Sequence, residues 1–173
     1  MMTLKTFETE RLLLIPTTVD DAPLFLELLN MPKWLEFIGD RNVHNLIEAQ
    51  TYIKTKVLPQ YERLSYGNYT VIRKADNEKL GCCGLYDREG LDGVDIGFSF
   101  LGKFEGNGYS YEAATCLKNA AFNTFKIPNL GAITMESNIA SRKLLEKVGL
   151  SFTKNIQLES EELMYYELEN TRL

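Results

Sequence analysis

Histidine is nearly missing from this chain: His44 is the only one. A Ser-His-Asp or Cys-His catalytic group would have to run through that residue, and a multi-histidine metal site is excluded. Cysteine is also sparse, with Cys82, Cys83 and Cys116. Two of these are adjacent and on a strand would face opposite sides, whereas zinc pairs are usually about two to four residues apart. A set this small and odd makes no secreted disulfide framework. Basic charge is in deficit, with 19 Lys and Arg against 24 Asp and Glu, a net of −5. Bulk charge therefore offers no phosphate-facing surface for duplex nucleic acid. No apolar run approaches the ~18–20 residues of a membrane helix. The opening Met1-Met2-Thr3-Leu4-Lys5 carries no apolar leader core. The expectation is a cytoplasmic protein that engages neither membrane nor duplex nucleic acid and holds no metal.

What is present is an ordinary globular composition: 173 residues, 45% hydrophobic and 25% charged. No linker, repeat or low-complexity tract divides it, so residues 1–173 read as one domain. Phe7 to Ile15 reads as a first strand, ended by Pro16. Thr18-x-x-Asp21 is an acidic capping box for a helix that stops near Asn30. Asn45-x-x-Glu48 starts a second helix, which Pro59 kinks or divides on the way to Leu64. Tyr69 to Ile72, Leu80 to Tyr86 and Val94 to Phe100 read as strands joined by turns. A helix follows from about Gly108 to Phe125, then a buried strand from Ala132 to Glu136. Asn138 caps a helix ended by Gly149. Ser151 to Leu158 and Leu163 to Leu168 close the chain as an antiparallel pair. This order predicts an α+β fold with a single mixed, mostly antiparallel central sheet flanked by helices.

Two segments carry chemistry. Glu105-Gly106-Asn107-Gly108-Tyr109-Ser110 lies after a strand and opens a helix. Its glycines allow a tight turn and close approach, and free N–H groups at a helix start converge on an anion such as a diphosphate. A plain loop-to-helix turn explains the same residues taken alone. A P-loop needs Gly-Lys-Ser/Thr, which is lacking. A dinucleotide fingerprint needs a third glycine where Tyr111 stands. In the second segment, Glu136 to Leu150, a strand ends, Asn138 caps a helix, and Ser141 lies on its first turn.

Together, in this order and spacing, these segments resemble the GCN5-related N-acetyltransferase (GNAT) family, in its ribosomal-protein alanine acetyltransferase-like (RimJ/RimL-type) branch. The resemblance also takes in Thr9-Glu10-Arg11-Leu12-Leu13-Leu14, Asp95-Ile96-Gly97-Phe98 and Lys147-Val148-Gly149-Leu150, and so spans nearly the whole chain. It implies a GNAT-like acyl-CoA N-acyltransferase fold and acetyl-CoA as acyl donor. The family's signature is Gln or Arg, two residues, Gly, one residue, then Gly or Ala. Glu105 departs from it at the first position and Ser110 at the last. Glu105 sets a negative charge beside a diphosphate, unless it turns to solvent or pairs with Lys103.

By the same resemblance, the strand Val94 to Phe100 splays from its neighbour. The pantetheine arm lies in the gap, against the backbone of Phe98, Ser99 and Phe100. Gly106, Asn107, Gly108, Tyr109 and Ser110 form the phosphate cradle, and Asn138 contacts the arm. Arg142 either approaches the ribose phosphate or is a solvated helix charge. The implied reaction is direct acyl transfer to an amine, which needs a proton acceptor and a donor to the leaving thiolate. Asp95 is the first candidate base and Glu136 the second; each also reads as a plain surface or helix-adjacent charge. Many relatives carry a tyrosine acid where Leu145 stands. Ser141 is the substitute donor, or simply a hydroxyl at a helix start. His44 is a surface residue or lines an acceptor mouth with Trp34 and Phe37.

The resulting expectation is an N-acetyltransferase acting in a ternary complex on a protein N-terminus or a small amine, as monomer or homodimer. The alternative is a catalytically silent acyl-CoA sensor or scaffold, motivated by Glu105 and the missing tyrosine.

Overall fold

The computed structural model describes residues 3–173; the leader reading of Met1 and Met2 falls outside them. The opening apolar run is a hairpin rather than one strand, with β1 at Phe7–Glu8 and β2 at Leu12–Pro16. Thr9 causes the break. Its N–H donates to the Leu12 carbonyl, and its hydroxyl accepts from the Leu12 N–H. The Thr18 box forms as expected around a 3₁₀ turn at Val19–Asp21, which leads into α1 (Ala22–Leu29). A short helix absent from the sequence reading follows, α2 (Pro32–Phe37), begun by the preset φ of Pro32. Asn45 caps α3 (Leu46–Tyr52), accepting from the Glu48 N–H at 2.9 Å. The run is divided just before Pro59, as expected, and Pro59 falls in the first turn of the helix that follows. A π-helical turn at Ile53–Val57 lets the Leu58 N–H reach the Ile53 carbonyl five residues back, and α4 (Leu58–Leu64) continues.

Three antiparallel strands come next: β3 (Asn68–Arg73), β4 (Glu78–Asp87) and β5 (Val94–Phe100). After α5 (Tyr109–Asn123) the chain forms β6 at Asn129–Thr134, not at Ala132 to Glu136. Pairing with β8 (Glu161–Glu169) decides this boundary, because Asn129 lies opposite Glu169. A turn with the Asn138 N–H on the Met135 carbonyl then leaves Glu136 outside the strand. Next come α6 (Ile139–Val148), where Gly149 adopts φ +115°, and β7 (Ser151–Leu158).

Among the described residues all eight strands form one sheet in the order β1-β2-β3-β4-β5-β6-β8-β7. Only β5 and β6 run parallel, and they pair at just Val94–Leu130 and Asp95–Gly131 before parting. Beyond that point the backbone of Phe98 to Phe100 faces a gap. Helix α5 packs on one side of β4 and β5, where Cys83 lies toward Cys116. On the other side lie α1 and α3, with Cys82 toward Tyr52. The main core runs from β2 through β5 to α5, around Leu12, Leu14, Leu85 and Leu117, and a second cluster joins α1, α3 and α4 around Phe25, Ile53 and Tyr61. Each fully buried Leu contributes about 1.5–3 kcal/mol. Among the described residues no helix is long and apolar enough to cross a membrane.

Candidate active site

Where β5 and β6 part, a cleft of about 330 Å³ opens. Its floor is Phe98, Ser99 and Phe100; one end is Glu105, Gly106 and Ser110. Gly106 and Gly108 take φ +80° and +78°, a region L side chains avoid, and a Cβ on Gly106 would project into open space. Gly108 is the N-cap of α5 and supplies no side chain, so the first N–H groups of a four-turn helix stay uncapped. Asn107 knits the loop instead. Its amide donates to the carbonyls of Phe104 and Glu105, while its own carbonyl accepts from Arg11 at 3.0 Å. Tyr109 turns its ring the other way, against the guanidinium of Arg11 at 4.5 Å. Of the loop, Glu105, Gly106 and Ser110 line the cleft, whereas Asn107, Gly108 and Tyr109 do not.

Helix α6 forms the second wall with Asn138, Ser141 and Leu144. The Asn138 side chain caps the helix, accepting from the Ser141 N–H at 3.2 Å, and this fixes Ser141 on the wall. Arg142 is elsewhere. Its guanidinium donates to the Glu136 carbonyl at 2.9 Å and to the Tyr166 hydroxyl at 3.3 Å, and it does not line the cleft.

The third wall is α2, which brings Trp34 and Phe37 over the opening. The Trp34 ring also packs against the α1, α3 and α4 cluster, and its indole N–H is buried with no hydrogen-bond partner. Exposed His44 does not line the cleft, and its backbone N–H donates to Glu48 at 2.6 Å. Lys33, from the same helix, donates to both oxygens of Glu105, at 3.0 and 2.8 Å. Lys103, the partner the sequence offered, points to Glu78 at 4.0 Å instead. Spacing could not reveal Lys33, 72 residues away; the one signal was a carboxylate standing where a cation or amide was due.

Neither candidate base lines the cleft. Asp95 is 1% exposed, with both oxygens 2.9 Å from Nε of Arg88. It sits opposite Tyr86 on the α3 side of the sheet, and Arg88 stacks over the Tyr86 ring at 4.7 Å. Burial pushes the Asp95 carboxyl upward and the Arg88 charge opposes that. Glu136 is exposed on the turn before α6. Glu112 is a brace: it accepts from the Thr9 hydroxyl, the Arg11 N–H and the Arg11 guanidinium, and so ties the first hairpin to α5. Burial pushes the Cys82 thiol up to about 12 and raises Cys83 and Cys116 too. These thiols stay protonated near neutrality and are poor nucleophiles. Among the described residues no group of three or more His, Cys, Asp or Glu could hold a metal ion.

A glycine-turned helix start, a gap between parallel strands and an Asn-capped helix thus converge on one cleft. A domain model described as an acetyltransferase (GNAT) domain matches residues 11–151. The Bacillus subtilis protein YkkB is 31% identical over 96 residues, 54% of this chain; the match spans only 56% of that protein's length. An acetyltransferase from Agrobacterium tumefaciens shares the fold at a TM-score of 0.82 and 22% identity, over 98% of this chain and 96% of that one. So does a ribosomal L7/L12 alpha-N-protein acetyltransferase in complex with coenzyme A, at 0.80 and 16%, over 95% and 98%. With the domain model covering most of its length, this chain belongs to the GNAT acetyltransferase family, whose members take the acetyl group from acetyl-CoA.

Proposed function

We propose that the protein is an N-acetyltransferase that moves the acetyl group of acetyl-CoA to a primary amine, by direct attack in a ternary complex. One observation carries this reading: the uncapped start of α5, through Ser110, and the edge of Phe98 to Phe100 that β6 leaves open face the same cleft as Ser141. The cleft fits such a donor. Gly106 leaves its backbone open to a bulky anion. The likeness to the ribosomal L7/L12 enzyme supports a protein N-terminus as one acceptor class; a small amine is the other.

Acetyl-CoA supplies the acetyl group as a thioester. Backbone N–H groups from Gly106 to Ser110 hold the diphosphate, with no lysine needed in the loop. The edge of β5 that β6 leaves open along Phe98, Ser99 and Phe100 offers backbone groups to the pantetheine amides, and Asn138 holds the same arm from α6. Ser141 donates its hydroxyl to the sulfur as negative charge builds there; its very high pKa suits a donor rather than an ionising acid. The amine's proton passes to water, because Asp95 and Glu136 both lie outside the cleft.

Thiol release from acetyl-CoA, followed with a thiol-reactive dye across N-terminal peptides and small amines, tests the proposal. Turnover on at least one amine is expected. Tight donor binding with no turnover on any of them would favour a silent acyl-CoA sensor or scaffold. No donor binding would refute both.

A further inference from the structure

Glu105 lies beside the diphosphate cradle at a position where its charge repels the ligand. Lys33 answers it from α2. An ammonium carries three N–H donors, and the two oxygens of Glu105 engage two of them at 3.0 and 2.8 Å. The third is left on a group that shares the cleft with Gly106 and Ser110. Lys33 and Glu105 are 57% and 41% exposed, and surface pairs of this kind add little to stability. Fold stability therefore gives weak reason for the pair, whereas ligand binding gives a strong one.

Resting on the acetyl-CoA reading above, we infer that Lys33 is a ligand of the diphosphate, bridging Glu105 and a phosphate oxygen. The positive charge absent from the loop is delivered by α2, and Glu105 aims it. A lysine suits the task, since it binds phosphate as a point charge without a fixed fork geometry. The same helix carries Trp34 and Phe37, which cover the cleft. Donor binding therefore seats α2, and with it the wall that meets the acceptor.

Calorimetric titration of the full chain with acetyl-CoA and with S-acetyl-pantetheine, which lacks the diphosphate, provides the test. Fluorescence of Trp34, the only tryptophan, gives a second readout independent of turnover. Lys33→Ala is expected to weaken acetyl-CoA binding roughly tenfold, the size of one charge-assisted contact, and to leave acetyl-pantetheine binding unchanged. Lys33→Arg should keep most of the affinity. Adding Glu105→Gln to Lys33→Ala should recover several-fold, because it removes a charge then left uncompensated. An unchanged affinity in Lys33→Ala, an equal loss for both donors, or no recovery in the double variant would overturn the inference. A wild-type chain that binds neither donor would instead remove the acetyl-CoA reading on which it stands.

Discussion

Asp95→Asn keeps the side chain's volume and one of its acceptors but removes the charge opposite Arg88. The guanidinium is then left over Tyr86 without a counter-ion. Breaking a buried pair costs about 3–5 kcal/mol. Arg88 is 38% exposed, so water compensates part of that loss and about 2 kcal/mol remains. For a chain of this length, 1 kcal/mol moves Tm by about 2–4 °C. The expected fall is therefore about 4–8 °C, with a roughly 30-fold rise in the unfolded-to-folded ratio. A circular-dichroism melt measures it. Turnover on the best amine, assayed well below the variant's Tm, should stay within a few-fold of wild type. Loss of a general base costs about 10²–10⁴ in rate. A fall of that size at unchanged Tm would refute the structural assignment and make Asp95 the proton acceptor.

Ser141→Ala should lower kcat by roughly tenfold or more, the value of a hydrogen bond to a charged group, with acetyl-CoA affinity little changed; equal kcat would remove Ser141 from the mechanism. Burial works against the Glu112 charge, but the Thr9 hydroxyl and the Arg11 donors outweigh it and hold the carboxyl below its ordinary range. Its stabilisation is present above about pH 4.5 and lost as pH falls through the lower folded-state value. Glu112→Gln should therefore flatten the acid limb of Tm against pH in that window, and parallel curves would contradict this. The β7–β8 turn holds Glu159 and Ser160 at φ +50° and +69°. Replacing them together, Glu159→Asn with Ser160→Gly, should stabilise the chain by about 1 kcal/mol, read as a higher Tm; a lower Tm would mean the native side chains support the turn.

Most of this architecture was legible because local signals and tertiary pairing agree. Asn45 and Asn138 each cap the helix they announce, Thr18 caps the 3₁₀ turn that leads into α1, and Val94 to Phe100 pairs in register with β4. The errors arise where a long-range partner decides. The limits of β6 come from β8 and from the turn that bonds Asn138 to Met135. The break after Glu8 depends on a threonine hydroxyl folding back on Leu12. Gly106 and Ser141 meet on one cleft, and both were legible because the signals that mark them, a loop glycine and a helix cap, are local. The burial of Asp95 and its tie to Arg88 were not legible, since they follow from the pairing of β5 with β4. Lys33 was invisible because α2 has no stripe long enough to mark it as a helix, and its partner lies across the molecule.

A sheet ordinarily has two edges. By parting after Asp95, β5 and β6 give this one two more, deep in the molecule. Open edges invite strands from other chains and are usually blunted by charge or covered. Here they face each other between α2 and α6, where a second polypeptide sheet cannot approach but a slender chain with amides at intervals can. A surface that would promote aggregation on the outside is turned inward and put to use. Backbone amides in the second half of β5 should accordingly exchange with solvent like those of a border strand, although they lie near the centre of an eight-stranded sheet.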